Sequence, residues 1–260
     1  MIDFIKLNSF GIKRIFYFDT LDSTNVYAKK ENPEDDTLIL AGFQIAGKGR
    51  MDRKWDAEKN KNITLSLVKS FDINEAHIVN FFTSYILLKT LQDFLHEKGI
   101  DPGEQLKLKW PNDIMLNGRK LSGILSELLD FKPIPRKFII GIGINVNQMV
   151  FPEDIMNKAT SMKLEFNADF DPNEIITFFI RNFYESITLI QRPAVLMELW
   201  RLNTDVINKN IRFMMNETTE ETEGVVLNIE DDGGIKIKLS EKNNKEKISV
   251  FYSGEISFIY

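Results

Sequence analysis

Gly47-Lys48-Gly49-Arg50 sets two glycines beside two cations, a pattern suited to holding an oxyanion. Glycine lets backbone N–H groups come close to the anion, while the ammonium and guanidinium neutralise it. A second pair, Gly141 and Gly143, lies in an apolar run and allows a similar approach, although a bulge or tight packing would use it equally well. Trp110-Pro111-Asn112-Asp113 reads by itself as a turn, with Pro presetting φ and the two polar side chains bonding the backbone. Cationic charge is local. Residues 47–61 hold six Lys or Arg against three acids and residues 107–120 hold four against one, so each segment carries +3. The whole 260-residue chain is at −5, with 33 Lys and Arg against 38 Asp and Glu. That balance argues against broad nucleic-acid binding and leaves room for a local anion site. Charge alone favours the plainer reading of two solvated loops.

Two familiar nucleotide motifs fail. Gly42, Gly47 and Lys48 fit G-x-x-x-x-G-K, but Gly49 stands where a phosphate loop needs Ser or Thr, and no helical pattern follows. Gly141-x-Gly143 and Gly47-x-Gly49 lack the third glycine of a dinucleotide fingerprint, having Val146 and Asp52 there. The chain has no cysteine, which removes disulfides, thiolate nucleophiles and Cys-ligated metals. His77 and His96 are the two imidazoles and lie too far apart along one expected helix to share a metal.

The elements that must position these residues follow from hydrophobic period and breakers. Strands are expected at Ile12 to Phe18, Thr37 to Ile45, Ile63 to Val68, Leu106 to Lys109, Asp113 to Leu116, Leu121 to Leu129 and Phe138 to Val146. Asp22, Ser23 and Thr24 supply capping oxygens for a helix over Val26 to Lys30. Asn74 to Lys98 reads as the longest helix with Gly99 as its stop, and further helices are expected near Asn173 to Ile190 and Ala194 to Leu202. Asn117-Gly118 is a two-residue hairpin signal. The loop Ala46 to Asn62, about 17 residues, has the length at which function is the usual explanation. Beyond Asn203 the pattern alternates in Ile211 to Met215, Thr222 to Ile229, Gly234 to Leu239 and Ile248 to Ile259, with turns at Asp231-Asp232-Gly233-Gly234 and Lys242-Asn243-Asn244-Lys245. The expected fold is α/β with a mixed sheet flanked by helices over 1–205 and a small β domain over 206–260. No secretory leader is legible in residues 1–10 and no apolar run reaches about 18 residues, so the expected location is the cytoplasm, with no membrane partner.

Taken together and in order, the motifs resemble those of biotin-protein ligase. Ser23-Thr24-Asn25 resembles the family's Ser-Thr-Asn, and Gln44 its pocket glutamine; Gly47 to Trp55 resembles its glycine-arginine loop. Lys109-Trp110-Pro111-Asn112-Asp113 matches Lys-Trp-Pro-Asn-Asp, Lys120-Leu121-Ser122-Gly123 matches the catalytic lysine strand, and Gly141 to Asn145 resembles Gly-x-Gly-x-Asn. Three loop positions depart from the family's usual residues: Lys48, Met51 and Asp52. The resemblance implies a class II synthetase-like catalytic domain followed by a small SH3-like β-barrel.

It also implies ATP and biotin as substrates, with magnesium carried on ATP, formation of biotinyl-5'-AMP, and transfer of biotin to a lysine on the carrier domain of a carboxylase such as acetyl-CoA carboxylase. By the same resemblance Lys120, Arg50 and Asp113 are catalytic. Ser23, Thr24, Asn25, Gln44, Lys48, Gly49, Arg50, Trp55, Lys120, Gly123 and Gly143 meet biotin; Arg50, Arg53, Trp55, Asn112, Lys120 and Asn145 meet the nucleotide. The 22 residues before Ser23 are too few for the family's DNA-binding domain, so a monofunctional ligase, monomeric or homodimeric, is expected. No residue of the C-terminal module stands out as a site residue. A lipoate or octanoate ligase is the alternative enzyme, and a non-catalytic biotin-binding module the alternative binder. The usual Arg-Arg-x-Ser-Gly-Gly-Gly loop of the lipoate class is absent.

Overall fold

The computed structural model describes residues 3–73, 77–129, 134–215, 221–240 and 246–259. A short helix α1 (Phe4–Phe10), capped by Asp3 through a 3.0 Å bond from Lys6 N–H, precedes strand β1 (Arg14–Phe18). Helix α2 (Thr24–Glu31) follows Ser23 and leads to β2 (Thr37–Ala41) and then β3 (Ile63–Phe71). The long helix α3 (Ile78–Glu97) ends before Gly99, whose φ of +74° suits glycine. Strands β4 (Leu106–Lys109), β5 (Asp113–Leu116), β6 (Arg119–Leu128) and β7 (Arg136–Ile144) complete a seven-stranded sheet of order β1-β2-β3-β7-β6-β5-β4. The pair β1 and β2 is parallel and every other pair is antiparallel, so the sheet is mixed. Asn117 and Gly118 both have positive φ, 52° and 73°, as the tight hairpin between β5 and β6 requires.

Alternation along the central strands separates a greasy face from a small-residue face. Leu65, Leu67, Ile140, Ile142 and Ile144 enter the main core, together with α3 and the later helices α4 (Met162–Phe166), α5 (Pro172–Glu185) and α6 (Pro193–Leu202). The opposite face carries Thr64, Ser66, Gly141 and Gly143, with Gly123 paired to Gly143 and Ser66 to Gly141. Helix α2 covers one end of that face through Ala28, which packs on Ile39, Val68 and Ile139. The remainder is open for a cavity.

Strands β8 (Asn210–Met214), β9 (Glu221–Ile229), β10 (Ile235–Ser240), β11 (Glu246–Phe251) and β12 (Glu255–Phe258) form a second, antiparallel sheet of order β11-β10-β9-β8-β12, consistent with an SH3-like domain. Its Ile211, Phe213, Val226, Ile235 and Ile256 belong to the same hydrophobic cluster as the first sheet. A bond from Trp110 Nε1 to Gly233 O, 3.0 Å, ties the two together.

Several element boundaries differ from the sequence expectation. The single strand expected over Ile248 to Ile259 is two, because Gly254 at φ +140° turns the chain between β11 and β12. The helix expected to reach Ile190 ends at Glu185, and a 3-10 turn takes over at Ile187–Gln191. Helices α1 and α4 were not expected: seven and five residues are too few to show a period. The expected turn Lys242 to Lys245 lies outside the described residues.

Candidate functional site

A cavity of about 650 Å³ opens on the small-residue face and extends to the second sheet. That volume is typical of a small-molecule site. Its wall includes Ser23, Thr24, Asn25 and Gln44 from the α2 entrance and the strand-end loop. Lys48, Gly49, Arg50, Arg53 and Trp55 come from the glycine-arginine loop, Asn112 and Asp113 from the turn into β5, and Lys120 and Gly123 from β6. Gly143 and Asn145 close the set at the end of β7. The residues that the resemblance assigns to biotin, nucleotide and catalysis therefore face one space, although they span 123 positions of chain; Gly47 does not line it.

A β-bulge places the lysine. On β5 and β6, Asp113 pairs with Gly123 and Ile114 with Ser122, but Met115 pairs with Lys120, leaving Leu121 as the extra residue. Leu121 turns into the core, and Lys120 takes the cavity-side position that a regular ladder would give to Leu121. Lys120 Nζ then lies 2.7 Å from Asp113 Oδ1 and 6.0 Å from the Trp55 ring centroid. Trp55 rests against Gly143, where any Cβ would collide with the indole. The Lys120 backbone is fixed by bonds from its N–H to Lys158 O (2.7 Å) and from Thr160 N–H to its carbonyl (3.0 Å).

The glycine-arginine loop is a small hairpin. Gly49 N–H bonds Arg53 O at 2.7 Å, Trp55 N–H bonds Gly47 O at 2.8 Å, and Met51 at its tip has φ +55°. Arg50 reaches Asn112 Oδ1 at 3.3 Å and the carbonyl of Gly254 at 3.4 Å. Burial pushes the Arg50 guanidinium below its ordinary value, and the charges of Asp113 and Glu255 oppose that push. Asn145 Nδ2 donates to Thr160 O at 3.0 Å, while its Oδ1 and the Trp55 Nε1 are buried with no partner among the described residues. Buried polar atoms without partners in a cavity wall are what a polar ligand satisfies.

Four residues of the site were not assigned to it from the sequence. Glu255 of β12 pairs with Arg53, so the second sheet holds the loop directly. Phe151 and Ile155 add apolar wall from the segment after β7. Lys109, the first residue of the Lys-Trp-Pro-Asn-Asp motif, also lines the cavity, its Nζ 5.7 Å from the Phe258 ring centroid. Burial lowers the Lys109 amine below its ordinary value; Asp113 pulls it back up and Lys120 adds to the fall. Among the described residues no cluster of three or more His, Cys, Asp or Glu could hold a metal, and no helix is long and apolar enough to cross a membrane.

A sequence profile described as the biotin/lipoate A/B protein ligase family matches residues 17–145. The chain is 32% identical to the bifunctional ligase/repressor BirA of Bacillus subtilis over 95% of its own length and 76% of that protein's. It is 28% identical to a biotin–acetyl-CoA-carboxylase ligase of Paracoccus denitrificans, covering 84% of this chain and 91% of the relative. Among solved structures, the biotin protein ligase from Aquifex aeolicus in complex with biotin and ATP superposes with a TM-score of 0.77 at 21% identity, over 95% of this chain and 100% of that one.

Proposed function

The chain belongs to the biotin/lipoate A/B protein ligase family, and from that premise we propose how the residues of its cavity divide the work. It is a ligase of the biotin–acetyl-CoA-carboxylase type. ATP and biotin are its substrates, biotinyl-5'-AMP is the intermediate, and a biotin carrier protein receives the biotinyl group on a lysine.

In the first step a biotin carboxylate oxygen attacks the α-phosphorus and pyrophosphate leaves. Two unit charges 4 Å apart repel by about 4 kcal/mol at an effective dielectric of 20, roughly three orders of magnitude in rate. Lys120 offsets this repulsion as the cation between carboxylate and α-phosphate, Asp113 aims its amine, and Arg50 and Lys48 act from the loop. The 2.7 Å contact between Lys120 and Asp113 beneath Trp55 is the observation that carries this reading. Arg53, Trp55, Asn112 and Asn145 take the nucleotide, and the partnerless Asn145 Oδ1 suits an N–H donor. Magnesium enters on the triphosphate. In the second step the carrier amine attacks the acyl carbon of the mixed anhydride and AMP departs. No protein nucleophile is required, which fits a chain without cysteine.

Ser23, Thr24, Asn25, Gln44, Gly49, Gly123 and Gly143 form the biotin end. The partner is the carrier domain of a carboxylase, met in the cytoplasm by a monomer or homodimer that binds no nucleic acid; the net charge of −5 supports the last point. Residues 1–205 act as the catalytic domain and 206–260 as a β domain that holds the loop, supported by the pairing of Arg53 with Glu255. Incubation with ATP, a carrier domain and either biotin or lipoate tests the reading. One biotinyl group on a single carrier lysine is expected, and preferential transfer of lipoate would overturn it.

A further inference from the structure

Ser66 and Glu127 are outside the cavity wall, yet both bond residues that form its biotin end. Ser66 is fully buried in the middle of β3, and Glu127 stands near the end of β6 with Lys29 Nζ 2.6 Å from its Oε1. Between them sits Asn25, pressed against Gly141 so closely that any Cβ there would strike its amide.

The bonds around Asn25 have one consistent direction. Its Nδ2 donates to Leu125 O at 3.2 Å and to Glu127 Oε2 at 2.8 Å, which uses both amide protons. Its Oδ1 can then only accept, and the proton comes from Ser66 Oγ at 2.5 Å. Having given its one proton, Ser66 accepts from Thr24 Oγ1, 2.7 Å away. Gln44 Oε1 takes the Thr24 backbone N–H at 2.7 Å, which fixes that amide too. The longer contact of 3.1 Å from Thr24 Oγ1 to the same oxygen competes for the hydroxyl proton and is the weaker claim. What remains toward the cavity is lone pairs on Thr24 Oγ1 and the N–H groups of Gln44 Nε2, which have no partner among the described residues. A cyclic urea offers the complement, N–H donors beside a carbonyl acceptor.

We propose that Ser66 and Glu127 are positioning residues that set the hydrogen-bond polarity of the biotin end, Glu127 by anchoring the Asn25 amide and Ser66 by passing that orientation to Thr24. The proposal rests on the ligase reading and deepens it: ureido recognition is decided one layer behind the residues that touch the ligand. Without an acceptor at position 127 the Asn25 amide keeps only its 3.2 Å bond to Leu125 O and is held less firmly, so that Ser66 loses a fixed acceptor, turns its proton part of the time toward Thr24, and the Thr24 hydroxyl then points its own proton at the ligand's N–H.

Steady-state biotin-dependent pyrophosphate release in wild type, Glu127→Leu, Glu127→Gln and Ser66→Ala tests this. Glu127→Leu and Ser66→Ala are expected to raise KM for biotin about tenfold, the scale of one hydrogen bond, while KM for ATP and kcat stay within about twofold. Glu127→Gln keeps an acceptor for Asn25 and is expected to restore the wild-type KM for biotin. Thermal melting identifies a variant that has lost its fold; if Glu127→Leu does, Ser66→Ala decides, a raised KM for biotin alone supporting the proposal and an unchanged one overturning it. An unchanged KM for biotin in Glu127→Leu overturns the proposal, as does a parallel rise in both KM values or a Glu127→Gln variant as impaired as Glu127→Leu. If the wild-type enzyme releases no pyrophosphate with biotin, the ligase reading fails and takes this proposal with it; wild-type turnover with unmoved variants removes the proposal alone.

Discussion

Met115 faces Lys120 across the β5–β6 ladder, one residue out of register from the Ile114 and Ser122 pair beside it. That slip lets a strand with an apolar residue at 121 present a lysine to the cavity next to Asp113 while keeping Leu121 in the core. The cationic centre is therefore a property of the sheet, whereas the second group of cations sits on a hairpin loop held from the other sheet.

The contact of Arg53 with Glu255, together with that of Arg50 with the Gly254 carbonyl, makes the second sheet a clasp for the loop. Glu255→Ala is expected to leave the first step within a few-fold of wild type and to leak biotinyl-AMP several-fold faster, because a loosened loop admits water to the anhydride. Retention of labelled intermediate through rapid gel filtration measures this. Exchange of the charges, Arg53→Glu with Glu255→Arg, recovers part of the retention if the pair itself is responsible.

Lys109 is expected to make ATP binding proton-linked. Its amine lies below the ordinary lysine value of 10.5 in the free enzyme because it is buried, and a triphosphate nearby favours the ammonium. Binding then takes up protons at pH above the lowered value, so ATP affinity falls as pH rises past it. Calorimetry in buffers of different ionisation enthalpy reports the uptake, which is expected to vanish in Lys109→Met.

Asp36 is a structural counterpart far from the cavity. Burial raises its carboxyl, but bonds from Lys13 (2.8 Å), Lys69 (2.6 Å) and Tyr184 (2.8 Å) outweigh this and hold it below the usual 3.8. A depressed carboxyl stabilises the fold above 3.8, and that contribution is lost as pH falls through the lowered value. Asp36→Asn is expected to lose about 2 kcal/mol at pH 7 and to converge with wild type in strong acid, as read by urea midpoints across pH.

Local signals explain why much of this was legible beforehand. Asn117-Gly118 specifies its hairpin through two positive φ values, and Gly99 ends α3 for the same reason. The cavity residues were assigned through the resemblance of their motifs taken in order, each motif alone reading as a loop or turn; in the structure Ser23, Arg50, Lys120 and Asn145 line one cavity. Non-local pairing hid the rest. Glu255 lies 202 residues from Arg53, and the register slip that frees Lys120 depends on which partner Met115 meets. Ser66 and Glu127 look like ordinary strand residues until their bonds to Asn25 are traced. Lys109 stands in the Lys-Trp-Pro-Asn-Asp motif, but its place in the cavity wall shows only in the structure.

The central claim is that Lys120 carries adenylate formation. Biotin-dependent ATP–pyrophosphate exchange in Lys120→Ala tests it most directly, with thermal melting and biotin binding as checks that the fold and the biotin end are intact. A fall of at least about a hundredfold in exchange, with both checks unchanged, is the expected result. Exchange at the wild-type rate would contradict the account.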